Sequence, residues 1–474
     1  MNRRFLACVL AVCVLVAASS APLAGSVAAT VPLLSGTDSK TPAPFGQVSR
    51  TGGHIVSTGD VHDRGITGSG VAVGVVGTAF EPEGSVVANN VAGHRRAPDE
   101  GATGEVVVGP RGRLDSRHDT AVAAAVAETA PDADLYLAAV GDDPTPEEYQ
   151  RAIDWLAAND VEVVVDAGSY FASNPRTNER LTAVAERAAA NGTVFVTSAG
   201  NYANSQWVGD GTADGWVDFS NATEANRLAG GEITGGDVSL RLSWNSSADY
   251  DLYLYRERAN GPDPVVAKSV RRQAGANNST RSTNSANPAN STNVTSSTDA
   301  TASWESIDAT VPRGNYYVAI DARDGDNKSQ LRLLSSRQSL EHAVSRDSVV
   351  APATGTGVVA VGAVDTDTGE IAQYSSRSGS FVDVWGPATV HTESGTLEGT
   401  SAATPYVAGT MALVASACER DVRTDELVEL LRASSVGDDR YTPDSVGVVE
   451  AAAAVETAER TTDNRSSGGC YLAD

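Results

Sequence analysis

The feature that most constrains the fold is a rhythm of short β-branched runs and amphipathic stretches between Gly65 and Asn201. The apolar run Val71 to Val76 is preceded by Gly65, Gly68 and Gly70 and followed by Gly77, and it reads as a strand buried on both faces. Leu135 to Val140, Val161 to Val165 and Val194 to Thr197 repeat the pattern. Between them, Glu147 to Ala158 reads as a helix with Tyr149, Ile153 and Leu156 on one face, and Thr182 to Ala190 as another. Such alternation predicts an α/β fold, a doubly wound and mostly parallel sheet with ligands at the carboxyl ends of its strands.

A second stretch, Gly399 to Gly409, is lined with small residues around Ser401. Pro405 is tolerated near the start of a helix and breaks an interior, so a helix should begin close to Ser401. A serine there has backbone N–H groups and the positive end of the helix dipole beside its oxygen, which suits a nucleophile whose reaction creates an oxyanion. An ordinary helix cap uses the same residue.

The string GTSAATPYVAG fills every fixed position of Gly-Thr-Ser-x-Ala-x-Pro-x-Val-Ala-Gly and so resembles the nucleophile motif of the subtilisin-like serine peptidases, the subtilases. The resemblance covers about residues 51–225 and 336–458 and implies a serine endopeptidase with Ser401 as nucleophile. The segment His118-Asp119-Thr120-Ala121-Val122-Ala123 is similar to the family's His-Gly-Thr-x-Val-Ala, with Asp119 in place of glycine. Ala121, Val122, Ala125 and Val126 follow at helical spacing, so His118 opens a helix, and a helix N-terminus favours the neutral imidazole that a general base requires. Asn201, after Ser198, Ala199 and Gly200, is implied as the oxyanion-hole amide; by the residues alone Gly200-Asn201 is a turn. The resemblance also implies that Ala167, Gly168 and Ser169 form one wall of the primary specificity pocket and Ser198, Ala199 and Gly200 the other. The family's Ser-Leu-Gly is not reproduced in the first wall.

The run Val71 to Val76 resembles the family's first core strand, which ends in the triad aspartate; Gly77 stands at that position. Loss of this carboxylate costs serine peptidases roughly 10⁴-fold in kcat without abolishing catalysis. Asp115, Asp119, Asp166 and Glu81 are nearby carboxylates among which the sequence does not choose, and Asp119 also reads simply as a first-turn residue favoured by the helix dipole. Two functions stay open: an endopeptidase using Ser401, His118 and Asn201, and a catalytically silent scaffold that binds peptides or a cell-surface partner.

Between Tyr202 and Leu340 the period changes to two, as in Val238, Leu240, Leu242 and Trp244, and in Leu252 and Leu254 set against Tyr253 and Tyr255. This predicts an antiparallel β-sandwich inserted at residues 226–335, with a disordered, Asn/Ser/Thr-rich loop at 274–303. The segment Asp249 to Leu254 resembles sandwich modules appended to secreted peptidases, which implies substrate or surface binding, or added stability. Asp249 and Asp251 are calcium candidates without a full ligand set; no cofactor is required by the implied chemistry, and no metal site is assigned.

The first 29 residues read as a secretory signal peptide, with Arg3 and Arg4 before an apolar run from Phe5 to Ala18, and 30–50 as a linker. The expected product is therefore secreted and extracellular, a monomer with no stable membrane span. The peptidase parts are set at 51–225 and 336–458 and a tail at 459–474. Cys8 and Cys13 leave with the signal, and Cys418 and Cys470 remain, either two unrelated free thiols or, as an oxidising compartment favours, a disulfide worth about 4 kcal/mol by chain entropy. A net charge of −25, with only three lysines, disfavours nucleic acid as a partner and resembles the surface of a protein from a high-salt environment; a protein or peptide substrate is the expected partner.

Overall fold

The computed structural model describes residues 58–463 except 84, 97–115, 142, 221–222, 230–235, 273–302, 419–423 and 436–446. The expected signal peptide and linker, Asp115, almost all of the 274–303 loop and Cys470 lie outside the described residues.

The first part of the chain contributes α1 (Gly59–Asp63), β1 (Ala72–Gly77), β2 (Val91–Arg95), α2 (Ser116–Thr129), β3 (Asp134–Ala139), α3 (Pro146–Ala157), β4 (Val163–Asp166), α4 (Pro175–Ala190) and β5 (Val194–Ser198). Ten strands follow: β6 (Gln206–Asp210), β7 (Gly215–Trp216), β8 (Asn226–Ala229), β9 (Gly236–Trp244), β10 (Asp249–Arg256), β11 (Val265–Ser269), β12 (Ser303–Val311), β13 (Tyr316–Asp324), β14 (Gln330–Ser335) and β15 (Ser339–Leu340). The chain then returns with β16 (Val359–Val364), β17 (Val384–Pro387), the hairpin β18 (Thr389–Thr392) and β19 (Gly395–Glu398), α5 (Thr400–Ala417), α6 (Thr424–Ser434) and α7 (Ala451–Asp463).

The main sheet has the order β17-β16-β5-β4-β1-β3-β2, and every neighbouring pair is parallel. β1 is flanked by β3 on one side and β4 on the other, so the order of winding reverses there, and a crevice at the carboxyl ends of β1 and β4 is the expected ligand position. Alternate strand residues feed two cores. Val73, Val75, Val163, Val165, Val194 and Val196 pack with α2, α5, α6 and α7, while Val76, Val164 and Phe195 pack with α3 and α4.

Helix α5 is apolar all round, and except for Ser401 it is buried from Thr400 to Val414, as a central core helix must be. It starts at Thr400, so Ser401 lies in its first turn as the position of Pro405 predicts; lacking an N–H, Pro405 leaves the Ser401 carbonyl out of the helical ladder. A Cβ on Gly409 would lie 2.6 Å from Thr129 Cβ, so α2 and α5 approach more closely than any larger residue allows.

The ten middle strands form two antiparallel sheets around their own core, which includes Leu240, Leu242, Leu252, Leu254, Val318, Ile320 and Leu331. Their strands run from Gln206 to Leu340, outside the 226–335 segment on both sides, because β6, β7 and β15 are short and carry no alternation. The sandwich is tied to the peptidase core by arginines that reach backbone carbonyls. Arg241 Nε donates to Phe171 O (3.2 Å) and Ala172 O (3.3 Å), and Arg332 Nη2 donates to Val349 O (2.9 Å). Cys418, at the end of α5, is disulfide-bonded.

Candidate active site

The carboxyl ends of β1, β4 and β5 lie side by side, and each carries one part of the site. After β4, the Ala167 carbonyl accepts a hydrogen bond from Ser401 Oγ at 3.0 Å. After β5, Asn201 Oδ1 accepts from both the backbone N–H (3.0 Å) and the hydroxyl (3.1 Å) of Thr400. These bonds orient the carboxamide beside Ser401, and among the described residues its N–H₂ has no hydrogen-bond partner. Gly399, which caps α5 at φ +89°, is required twice over: only glycine adopts that conformation cheaply, and a Cβ there would meet Asn201 Nδ2 at 2.5 Å.

The end of β1 carries the third part. Asp119 is 5% exposed, and its two oxygens are divided between two tasks. Oδ2 accepts from the backbone N–H groups of Thr78 (2.6 Å) and Ala79 (3.2 Å), directly after β1. Oδ1 lies 2.9 Å from His118 Nδ1. A carboxylate only accepts, so His118 Nδ1 is the donor of this pair, and in the neutral tautomer that donates there the lone pair is on Nε2. No other described carboxylate holds His118. Glu81 accepts from the Ser116 hydroxyl (2.8 Å). Asp166 is buried and accepts from Tyr149 OH (2.6 Å), Tyr170 OH (2.9 Å) and Gly168 N (2.8 Å). Burial, with the Asp166 charge second, pushes the Tyr149 phenol well above its ordinary range.

The two stretches expected to wall the specificity pocket are neighbours. Ser198 Oγ donates to Gly168 O at 3.0 Å, and Ser169 Oγ lies 3.4 Å from Ser198 Oγ. Ala167, Ser198, Ala199 and Gly200 are buried, and Gly168 and Ser169 are partly exposed. Of the two calcium candidates, Asp251 accepts from Tyr253 OH (3.0 Å) and faces Arg323 Nε at 3.5 Å. Among the described residues no group of three or more His, Cys, Asp or Glu side chains could hold a metal ion, and no helix is long and apolar enough to cross a membrane.

A parallel sheet that brings a helix-borne serine, a histidine and a carboxamide to one edge, supplied in the chain order His118, Asn201, Ser401, defines the class of subtilisin-like peptidases. The sequence model of the subtilase family matches residues 68–466, and the chain belongs to that family. Among solved structures, the CspB protease of Clostridium perfringens matches with a TM-score of 0.54 at 13% identity, over 83% of this chain and 96% of that one. A lanthipeptide protease matches at 0.44 and 14% identity, over 84% and 92% of the two chains. Proteases from Pseudoalteromonas arctica match at 0.42 and 18%, over 82% and 90%. The first of these likenesses is one of fold. No curated protein sequence matches the chain.

The sequence alone missed the fastening of the site: the Thr400 donors that aim Asn201, the Ala167 carbonyl that holds Ser401, and the Thr78 and Ala79 N–H groups. Backbone donors and acceptors carry no residue signature, and only Gly399, inside the nucleophile string, marks where they converge.

Proposed function

We propose that the chain is a secreted serine endopeptidase acting on protein or peptide substrates as a monomer. Ser401 attacks the scissile carbonyl, and His118 Nε2 takes its proton and returns it to the leaving amine. The N–H₂ of Asn201, with the backbone N–H groups at the start of α5, stabilises the oxyanion. An acyl-enzyme forms, and water activated by His118 releases it. Side chains and backbone N–H groups of the chain supply every proton transfer and all the charge stabilisation in this sequence, so it needs no cofactor. The observation that carries the reading is the double hydrogen bond from Thr400 to Asn201 Oδ1, which leaves an uncommitted amide donor next to a serine in the first turn of a buried helix.

One observation favours the catalytically silent scaffold: the Ser401 hydroxyl donates to the Ala167 carbonyl and not to His118. Catalytic hydrogen bonds are often loose until substrate binds, and rotation about one side-chain bond frees the hydroxyl. Fluorophosphonate labelling in high salt separates the readings. The intact chain should be labelled and the Ser401→Ala variant should not; absence of any Ser401-dependent adduct would overturn the peptidase.

A further inference from the structure

We propose that Asp119 is the positioning carboxylate for His118 and that Gly77 is the vacancy that admits it: the aspartate and the glycine have changed places between the end of β1 and the first turn of α2. The inference rests on the peptidase reading of Ser401 and His118.

Neighbouring residues of a helix project about 100° apart, so a contact between His118 and Asp119 is not a consequence of their adjacency. It forms because Asp119 is fixed from the other side. The Thr78 and Ala79 N–H groups hold Oδ2, which turns Oδ1 to His118 Nδ1 at 2.9 Å. The same three donors would serve a carboxylate carried on β1. A Cβ built on Gly77 falls 2.7 Å from Asp119 Cγ and 2.8 Å from its Oδ2, so the Asp119 carboxylate fills the space into which a residue 77 side chain would project. Residues 77 and 119 therefore cannot both carry aspartate here. Subtilases place aspartate at the first position and glycine at the second, and this chain departs from the family at both. One departure alone would remove the carboxylate or crowd the site; the two together conserve it.

The consequence for the reaction is definite. While Ser401 Oγ bonds to the carbonyl carbon, its proton passes to His118 Nε2, and the imidazolium charge is met at Nδ1 by ionised Asp119, which takes no proton. The proton then leaves on the amine as the C–N bond breaks. In deacylation water gives its proton to Nε2 as its oxygen bonds to the acyl carbon, and the proton returns to Ser401 Oγ as the ester bond breaks.

The test is an exchange made in the full chain with a chromogenic peptide amide. Asp119→Asn and Asp119→Gly should each lower kcat by about 10⁴-fold with little change in KM. Gly77→Asp combined with Asp119→Gly should recover at least 100-fold of that loss. The spectroscopic readout does not require turnover: in a Ser401→Ala background, the low-field proton resonance of His118 Nδ1–H should be present, vanish with Asp119→Asn, and return in the exchanged pair. Wild-type kcat in Asp119→Asn, an unmoved resonance, or an exchanged pair that is folded by circular dichroism yet no better than Asp119→Gly would overturn the assignment. If the intact chain neither labels nor hydrolyses, the peptidase reading fails by itself, and the resonance still decides whether Asp119 holds His118.

Discussion

Asn201 commits its carbonyl oxygen to Thr400, and among the described residues its N–H₂ has no partner, so the two ends of one carboxamide have different tasks. Removing such a donor from a subtilisin costs about 10² to 10³ in kcat. Asn201→Ala should therefore lower kcat in that range and leave KM nearly unchanged, measured on the same peptide amide. Gly399→Ala should lower kcat as well, because its Cβ displaces the amide nitrogen itself. Ser401, His118 and Asn201 are singled out by strings that resemble the subtilase pattern; by the residues alone Ser401 reads equally as a helix cap and Gly200-Asn201 as a turn. Asp119 could not be chosen over Asp166 or Glu81 in that way. What distinguishes it is the pair of backbone N–H groups after β1, a contact across 41 residues, and sequence nearness carries no information about it. The one available signal was that the departures from the family pattern at residues 77 and 119 are complementary.

At the scale of elements, the crossing of α2 and α5 sets how closely the His118 helix approaches the Ser401 helix. Gly409→Ala puts a methyl 2.6 Å from Thr129 Cβ, where backbone rather than a flexible tip must yield. The expected cost is about 1–3 kcal/mol, read from the denaturant midpoint at constant m-value. A second prediction concerns β12. Glu305 is buried against the Ser269 hydroxyl, and burial pushes its carboxyl up to about 7, which Ser269 and Arg271 only partly offset. Its pKa in the folded chain lies above the unfolded value, so the native state holds the extra proton between about pH 4.5 and 7, and stability contributed by this group falls as pH rises through that window. Thermal midpoints of the intact chain and of Glu305→Gln, compared across that range, should diverge as pH rises, with the variant the less sensitive. Most elements were legible because their periodicities are strong: Val238, Leu240, Leu242 and Trp244 all point inward. Helix α4 starts at Pro175 rather than Thr182, from Asn174 as cap with proline at the first position, a local signal that an apolar-periodicity reading passes over. β2 (Val-Ala-Gly-His-Arg) and β6 (Gln-Trp-Val-Gly-Asp) carry no apolar alternation; they are strands because sheet neighbours supply their partners.

At the scale of the whole molecule, two electrostatic regimes coexist. The net charge of −25 is a long-range repulsion spread over the surface, whereas the contacts joining sandwich to peptidase core include the apolar packing of Leu334 on Phe171 and Val350 and short hydrogen bonds from Arg241 and Arg332 to uncharged carbonyls. Salt acts on these differently. Raising ionic strength from 0.1 M to 1 M shortens the screening length from about 10 Å to about 3 Å, which removes most of the repulsion between separated carboxylates. It hardly touches a buried guanidinium held against a carbonyl, and Arg332 is buried enough that desolvation lowers its pKa. Exposed pairs such as Arg96 with Glu83 are worth at most about 1 kcal/mol each, so screening them costs little. The thermal midpoint should therefore rise with sodium chloride up to 1 M, as a single transition by calorimetry because the interface stays intact. Arg332→Met should split or broaden that transition at every salt concentration, since it leaves the Val349 carbonyl and the Gln206 side chain without their donor at the junction. A midpoint that falls with salt would mean that surface ion pairs outweigh the repulsion. A single sharp transition in Arg332→Met would mean that the sandwich is coupled to the core by other contacts.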